Sequence, residues 1–284
     1  MTMAATNVAA MPRLCRVPPT NGMSLEVLAR AISINLGEAA SACGVSFASR
    51  RLRAEQSLFH AGDRLESLYF VHSGYFKSSY QNQCGATQVL AFPMTGEFLG
   101  TDGIASRIHQ SSATALDTAE VIVIPYSQLV ALCRQYAPLE MFIYRLLGGE
   151  IQRQQWLLSL VGSLPAMARV AHFLIDLGAR HSALGYSGRH FTLKMTRADL
   201  GLHLGLTFET VSRSLSALQA CRIAMVARRD IQIIDVPGLV ALAQGSTGGT
   251  TGGSTGSPLC VESPATAFRQ IDVRKPVPVS YMVG

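Results

Sequence analysis

The spacing of apolar residues changes several times along the chain, and each change predicts a different kind of structure. Residues 1–22 have no period and carry Pro12, Pro18 and Pro19, so they are expected to be disordered. A short helical entry segment is expected from Ser24 to about Ala42. From about Arg51 to Pro125 the pattern shortens to β-like runs, clearest at Leu68–Val71, Tyr75–Phe76, Val89–Phe92 and Val121–Ile124. Gly62, Gly74, Gly85 and Gly96 punctuate these runs at intervals of 12, 11 and 11 residues. Turn glycines at that spacing predict an antiparallel roll or barrel. After Pro138 the period lengthens, with Leu139, Ile143, Leu146, Leu147, Ile151, Leu158 and Val161 recurring every three or four residues or at multiples of that step. The stripe covers about 24 positions, roughly 36 Å of helix. It could pack on the roll, but its near-heptad spacing also suits pairing with a second copy. The expected seam is Ile143, Leu147, Ile151, Gln154, Leu158 and Val161, with neutral Gln154 where a carboxylate would oppose a like helix. Pro165 then opens another helix, Ala166 to Ala179.

Two short helical patterns follow, joined around Gly205. Thr196 with Asp199 three residues on suits a capping box for the first, whose apolar positions are Leu200, Leu202 and Leu204. The second starts at Thr207, puts Val211, Leu215 and Leu218 on one face, and leaves Glu209, Ser212, Arg213 and Ser216 on another. An ordinary helical hairpin inside a core would show similar spacing. The polar set argues instead for a helix-turn-helix whose second helix enters a DNA major groove. Glu209 can accept from a cytosine amino group, Arg213 can donate to guanine, and Ser212 can do either. Met225–Ile234 places two apolar runs around Arg228-Arg229-Asp230, which predicts a β-hairpin wing with a basic tip. Thr196, Arg197, Thr207, Phe208, Glu209, Ser212, Arg213, Arg228 and Arg229 are therefore the candidate DNA-binding residues.

Charge supports that partner. Eight Lys or Arg against three Asp or Glu fall between Arg180 and Asp230, an excess of five in a chain whose formal total is +6. A hydrophobic content of 48% places the 284 residues among globular proteins, long enough for two domains. No apolar run approaches the roughly 18 residues of a membrane span, and no export signal opens the chain, so a cytoplasmic location is expected. Cys15, Cys43, Cys84, Cys133, Cys221 and Cys260 form no Cys-x-x-Cys pair, and no two of the seven histidines stand at i, i+4, so no metal site is expected. No nucleophile elbow, phosphate loop, zincin motif or paired carboxylates point to catalysis, so no enzyme is expected.

Several further motifs share one pattern. They are Leu58-Phe-His-Ala-Gly-Asp63, Leu68-Tyr-Phe-Val-His-Ser-Gly74, Gly96-Glu-Phe-Leu-Gly100, Ala168-Arg-Val-Ala-His-Phe-Leu174, Phe191–Gly201 and Glu209-Thr-Val-Ser-Arg213. In this order they resemble the CRP/FNR superfamily of bacterial transcription regulators, its FNR-like branch above all, over roughly residues 45 to 243. The resemblance implies an α+β chain with an N-terminal cyclic-nucleotide-type β-roll, a long dimerisation helix and a C-terminal winged helix-turn-helix. The expected divisions are a disordered N-terminus (1–22), the roll as a sensor-type domain (23–137), the dimerisation helix (138–163), the DNA-binding domain (164–243), and a Gly/Ser/Thr-rich linker with a disordered tail (244–284). It further implies a homodimer that recognises an FNR-type palindrome of TTGAT-like half-sites through Glu209, Ser212 and Arg213, with RNA polymerase as a partner and no membrane. Phe208 stands where the branch commonly has a smaller apolar residue.

The resemblance is weakest at the sensor. Cyclic-AMP receptors of this kind hold ribose with a Glu and phosphate with an Arg, and the equivalent segments here are Gly100-Thr-Asp-Gly103 and Ser111-Ser112. Thr101 and Ser111 replace the gripping pair, so cyclic AMP is disfavoured. A [4Fe–4S] cluster needs four thiolates or close substitutes. The N-terminus offers Cys15 with Cys43 far downstream, and Val121-Ile122-Val123 has no cysteine where the barrel ligand is expected, so the cluster is disfavoured too. Haem in the roll, redox chemistry at Cys84 or Cys133, and control by abundance all stay open. So do a regulator of the CRP type with a different operator, and a receptor acting mainly through a protein partner.

Overall fold

A computed structural model describes residues 22–37, 44–82 and 84–245. The expected N-terminal disorder and the glycine-rich linker and tail lie outside these residues, save for Gly22, Gln244 and Gly245; Cys15, Cys43 and Cys260 lie outside as well. Strand β1 (Gly22–Ser24) runs into helix α1 (Leu25–Ala31), where the Ser24 hydroxyl accepts from the Val27 amide. The helix expected to reach about Ala42 stops at Ala31. Ser33 turns left-handed at φ 57°, its N–H donates to Arg30 C=O, and the Ile34 N–H donates to Ala29 C=O. That pair of bonds is a Schellman closure, which satisfies the last carbonyls and redirects the chain.

Eight strands then build the roll: β2 (Ser46–Leu52), β3 (Ser57–Phe59), β4 (Ser67–Ser73), β5 (Phe76–Gln81), β6 (Thr87–Ala91), β7 (Phe98–Leu99), β8 (Ser112–Ala115) and β9 (Ala119–Pro125). They form two antiparallel sheets, ordered β1-β2-β9-β4-β7 and β3-β8-β5-β6. Gly62, Gly74, Gly85 and Gly96 all have φ between 81° and 96°, so the regular glycines are turn positions as expected. Alternation along β9 serves two cores. Ala119 and Val121 pack between the sheets with Phe76, Val71 and Leu52, whereas Ile122 and Ile124 pack outward under α1 with Leu28, Leu68 and Phe70.

Helix α2 (Tyr126–Gln135), which the sequence reading passed over, closes that outer core with Leu129 and Leu132. Helix α3 (Ala137–Ser163) is the long helix, 27 residues and so about 40 Å. Helix α4 (Ala166–Ala183) runs four residues past its expected end and leads into the C-terminal part. That part contains β10 (His190–Thr192), α5 (Arg197–Leu204), α6 (Phe208–Ala220), β11 (Ala224–Ala227), β12 (Asp230–Ile233) and α7 (Val236–Ala243). Helix α7, which the apolar pattern does not predict, is capped by Asp235 accepting from the Gly238 amide.

The roll and the C-terminal part share one buried cluster. Val89, Phe92 and Met94 leave the roll's outer face to pack with Phe173, Leu174 and Leu177 of α4 and Leu200 and Leu204 of α5, each at most 4% exposed. Around this contact Lys77 Nζ meets Asp199 Oδ1 at 2.7 Å, Lys194 Nζ meets Asp117 Oδ2 at 2.8 Å, and Arg180 grips Glu97 through two nitrogens at 2.8 and 3.0 Å. His203 of α5 completes it. Its Nδ1 lies 3.1 Å from the Val89 carbonyl, and the rings of Phe92 and Phe173 meet its imidazole edge-on.

Burial pushes the pKa of His203 down from 6.5 to about 4, against the opposing pull of the Val89 carbonyl and with a smaller push from Arg180. Between those two values the unfolded chain binds a proton that the folded chain refuses. Stability is thus complete above pH 6.5 and declines as pH falls towards 4. His172 and His181, also depressed by burial, act in the same sense. His203→Gln, whose amide can still donate to Val89, is expected to flatten this decline. Urea midpoints at pH 7 and pH 5 test it; an unchanged difference between the two would contradict the assignment.

Candidate nucleic-acid interface

Local chemistry fixes the two helices of the hairpin. The Thr196 hydroxyl accepts from the Asp199 amide at 3.0 Å, and Asp199 Oδ2 accepts from the Thr196 amide at 3.1 Å and its hydroxyl at 2.6 Å. This is the expected capping box, and it satisfies donors that the first helical turn leaves open. Burial pushes the Asp199 carboxyl up, but hydrogen bonds from Lys77 and Thr196 outweigh it and hold the group below the ordinary value. Gly205 ends α5 at φ 64°, and the Leu206 amide returns to the Gly201 carbonyl at 2.9 Å. A Cβ at Gly201 would come within 2.6 Å of Leu206 O, so the tight crossing of α5 and α6 requires glycine there. Leu200 and Leu204 face the core, whereas Leu202 is 40% exposed. Residues two apart on a helix point about 200° from each other, so the three leucines cannot share one face.

Helix α6 buries Val211, Ser214, Leu215 and Leu218 and exposes Phe208, Glu209 and Arg213. Thr207 caps it by accepting from the Thr210 amide, and the Thr210 hydroxyl in turn receives Arg213 Nη2 at 3.2 Å. The Glu209 carboxyl is held below its ordinary value, first by its own backbone N–H and then by the Thr207 hydroxyl. It is therefore an ionised acceptor at neutral pH. Ser212 is half-buried and already engaged, because Arg197 Nη1 donates to its oxygen at 3.2 Å. Its hydroxyl proton stays available, so it can still donate to a partner.

The wing forms as expected. Strands β11 and β12 pair Ala227 with Asp230, Arg228 takes the left-handed turn at φ 58°, and β10 joins on the far edge of β12. Leu193 N donates to Arg229 O at 2.8 Å, and the second guanidinium nitrogen of Arg197 reaches Arg228 O at 3.5 Å. Thr196, Arg197, Phe208, Arg228 and Arg229 thereby border one cleft of about 310 Å3, together with Leu193 and Met195. Glu209, Ser212 and Arg213 continue along α6. The result is a cationic rim beside a helix face carrying one carboxylate, one hydroxyl donor and one guanidinium, a set able to hold phosphates and read base edges.

Helix α3 offers a second surface. Tyr144, Ile151 and Leu158 stand 57%, 55% and 74% exposed at seven-residue intervals, with Leu147, Gln154 and Val161 three positions after each. Ile143, placed on the seam from sequence, instead packs on the roll's outer core with Phe142 and Leu146. Tyr144, one position on, is the exposed neighbour, since a helix of 3.6 residues per turn lets adjacent apolar residues serve different faces. Val161 also packs inward and lies close to Gly205.

The roll's own cleft, about 160 Å3, lies against α3 and α4 and is bordered by Ser78, Gly100, Thr101, Asp102 and Ser111 among others. Asp102 is its hub. One oxygen accepts from the Gln110 amide, the Ser111 amide and the Ser111 hydroxyl at 2.8, 2.8 and 2.9 Å; the other lies 3.2 Å from Nδ1 of the buried His109. Among the described residues no three His, Cys, Asp or Glu side chains gather as metal ligands, and no helix is long and apolar enough to cross a membrane. Cys84 and Cys221 are exposed, and burial, aided by Glu140, pushes the Cys133 thiol up, away from the reactive thiolate. Neither Asp102 nor Lys77 is marked in the sequence by a motif that points to its partners.

Residues 49–136 match the cyclic nucleotide-binding domain family, and residues 168–242 match the Crp-like helix-turn-helix domain family. The chain is 37% identical over 194 residues to the transcriptional regulatory protein btr of Bordetella pertussis, covering 68% of this chain and 80% of that one. It is 41% identical over 188 residues to the fumarate and nitrate reduction regulatory protein of Vibrio cholerae, covering 66% and 75%. The solved structure of FixK2 from Bradyrhizobium japonicum is similar at a TM-score of 0.64 and 26% identity, covering 70% of this chain and 98% of that one.

Proposed function

The chain belongs to the CRP/FNR superfamily of transcription regulators, proteins that bind DNA through a helix-turn-helix rather than catalyse a reaction, and from that premise we propose that it acts as a homodimer on an FNR-type palindrome. The observation that carries this reading is the outward face of α6, where ionised Glu209, donor Ser212 and Arg213 stand together beside the arginine-rimmed cleft of the wing. Those three groups fit a TTGAT-type half-site: Arg213 bidentate to guanine, Glu209 accepting from a cytosine amino group, Ser212 donating to a base acceptor. Arg197, Arg228 and Arg229 hold the phosphates and set the register. RNA polymerase is the partner through which such binding would change transcription.

Exposed Tyr144, Ile151, Gln154 and Leu158, flanked by half-buried Leu147 and Val161, support dimerisation along α3. Large apolar side chains at three successive a positions are what a parallel helix pair buries. The roll is proposed to take neither cyclic AMP nor a four-iron cluster. Thr101 and Ser111 stand where ribose and phosphate would be gripped, and both the amide and the hydroxyl of Ser111 are already given to Asp102. The cluster does not fit either, because β9 presents Val121, Ile122 and Val123 where a thiolate would be needed.

Three outcomes are expected. In gel-shift titrations Arg213→Ala should cost about 1–3 kcal/mol and relax selectivity at one base pair, whereas Arg228→Ala should weaken all sequences alike and lower the salt slope by about 1. Equal affinity of the unsubstituted protein for a TTGAT palindrome and a scrambled duplex would sink the DNA reading. Light scattering should give a dimer with and without oxygen, and Leu158→Glu should give a monomer; a dimer that forms only without oxygen would contradict this. Anaerobically purified protein should lack stoichiometric iron and sulfide and give no micromolar heat signal with cyclic AMP; either signal would refute the sensor proposal.

A further inference from the structure

Helix α5 is held from both ends by groups of the roll. At its N-terminus Lys77 of β5 reaches Asp199, and at its C-terminal turn Val89 and Gln88 of β6 engage His203 and the Leu202 carbonyl. Between these anchors Leu200 and Leu204 sink into the cluster shared with Val89, Phe92 and Met94. Docking of α5 leaves Glu209, Arg213 and Phe208 of α6 exposed, so this arrangement presents the reading face rather than hiding it. The roll, not only the connection from α3 to α4, therefore sets where the reading face points.

Lys77 is the critical anchor. Its ammonium is one-quarter exposed and takes one Asp199 oxygen, while the other Asp199 oxygen closes the capping box with Thr196. The charge that begins α5 thus answers directly to a residue of the sensor-type domain. Losing Lys77 leaves the capping bonds in place but frees α5 to tilt on its apolar contact. In a pair of chains such a tilt changes the distance and rotation between two reading faces, whereas one face on one half-site is unaffected.

We propose that Lys77 is a positioning residue for operator spacing: by holding Asp199 it fixes each reading head against its roll and makes the dimer selective for half-sites one helical turn apart. This rests on the DNA-binding dimer argued above. The test uses the full chain and three duplexes: the palindrome, the same palindrome with one base pair inserted between the half-sites, and a single half-site. One inserted pair rotates a half-site by roughly 34°. The unsubstituted protein should lose affinity sharply on insertion. Lys77→Met should bind the palindrome about tenfold more weakly, show a spacing penalty at least several-fold smaller, and keep its single half-site affinity. Lys77→Arg, which keeps the charge, should restore the spacing penalty.

A Lys77→Met protein with an undiminished spacing penalty overturns the proposal alone. So does an equal loss on the single half-site, which marks a local fault in the α5 cap. Failure of the unsubstituted protein to prefer the half-site over a scrambled duplex overturns the DNA-binding reading, and this proposal with it.

Discussion

The whole arrangement depends on one apolar contact, the packing of Val89, Phe92 and Met94 of the roll against Phe173, Leu200 and Leu204 of the C-terminal part. Without it the two family-matched segments would be joined only through the long helix, and their relative orientation would be set by a single turn around Leu164-Pro165. With it, each segment lacks a closed surface of its own, because its outermost hydrophobic residues belong to the other's core. Apolar packing is non-directional, so it can hold two bodies together while leaving the angle between them soft. The polar contacts at its rim supply the direction: Arg180 to Glu97, Lys194 to Asp117, Lys77 to Asp199 and His203 to Val89. These pairs are partly shielded from water, which makes their geometry costly to lose even where their net contribution to stability is small.

Economy of polar groups links the contact to the reading surface. Asp199 serves a helix cap and an inter-body ion pair at once, and Arg197 serves Ser212 and the wing carbonyl of Arg228. The recognition helix and wing are consequently braced against the first helix, and the first helix against the roll. A displacement anywhere along that sequence of bonds must break a charge-assisted hydrogen bond before it reaches Glu209 or Arg213.

Much of this was legible in the sequence where the chemistry is local. A Thr three residues before an Asp, a glycine between two apolar patterns, and arginines between two β runs each imply their structure through interactions within a few residues. The turn glycines of the roll were legible for the same reason, since low-cost access to positive φ is a property of glycine itself. What sequence hid was partnership at a distance. Lys77 and Asp199 are 122 residues apart, and nothing near either announces the other. Ile143 and Tyr144 illustrate a different limit: both fit an apolar stripe, and only the position of the roll decides which one turns inward. Leu202 counts as apolar in the pattern but stands on a different face from Leu200 and Leu204, and α2 is hard to read because ten residues with two buried leucines make too short a period to stand out.

Asp102 carries a consequence of its own. A free anion entering the roll would be drawn there by its concentration and would leave when that concentration fell. The carboxylate that now receives the Gln110 and Ser111 donors is tethered two residues from Gly100, so it meets them at an effective concentration of millimolar or more whatever the cell contains. When the contact opens, the carboxylate stays beside its donors instead of diffusing away. A roll built this way draws the acceptor for this turn from its own chain.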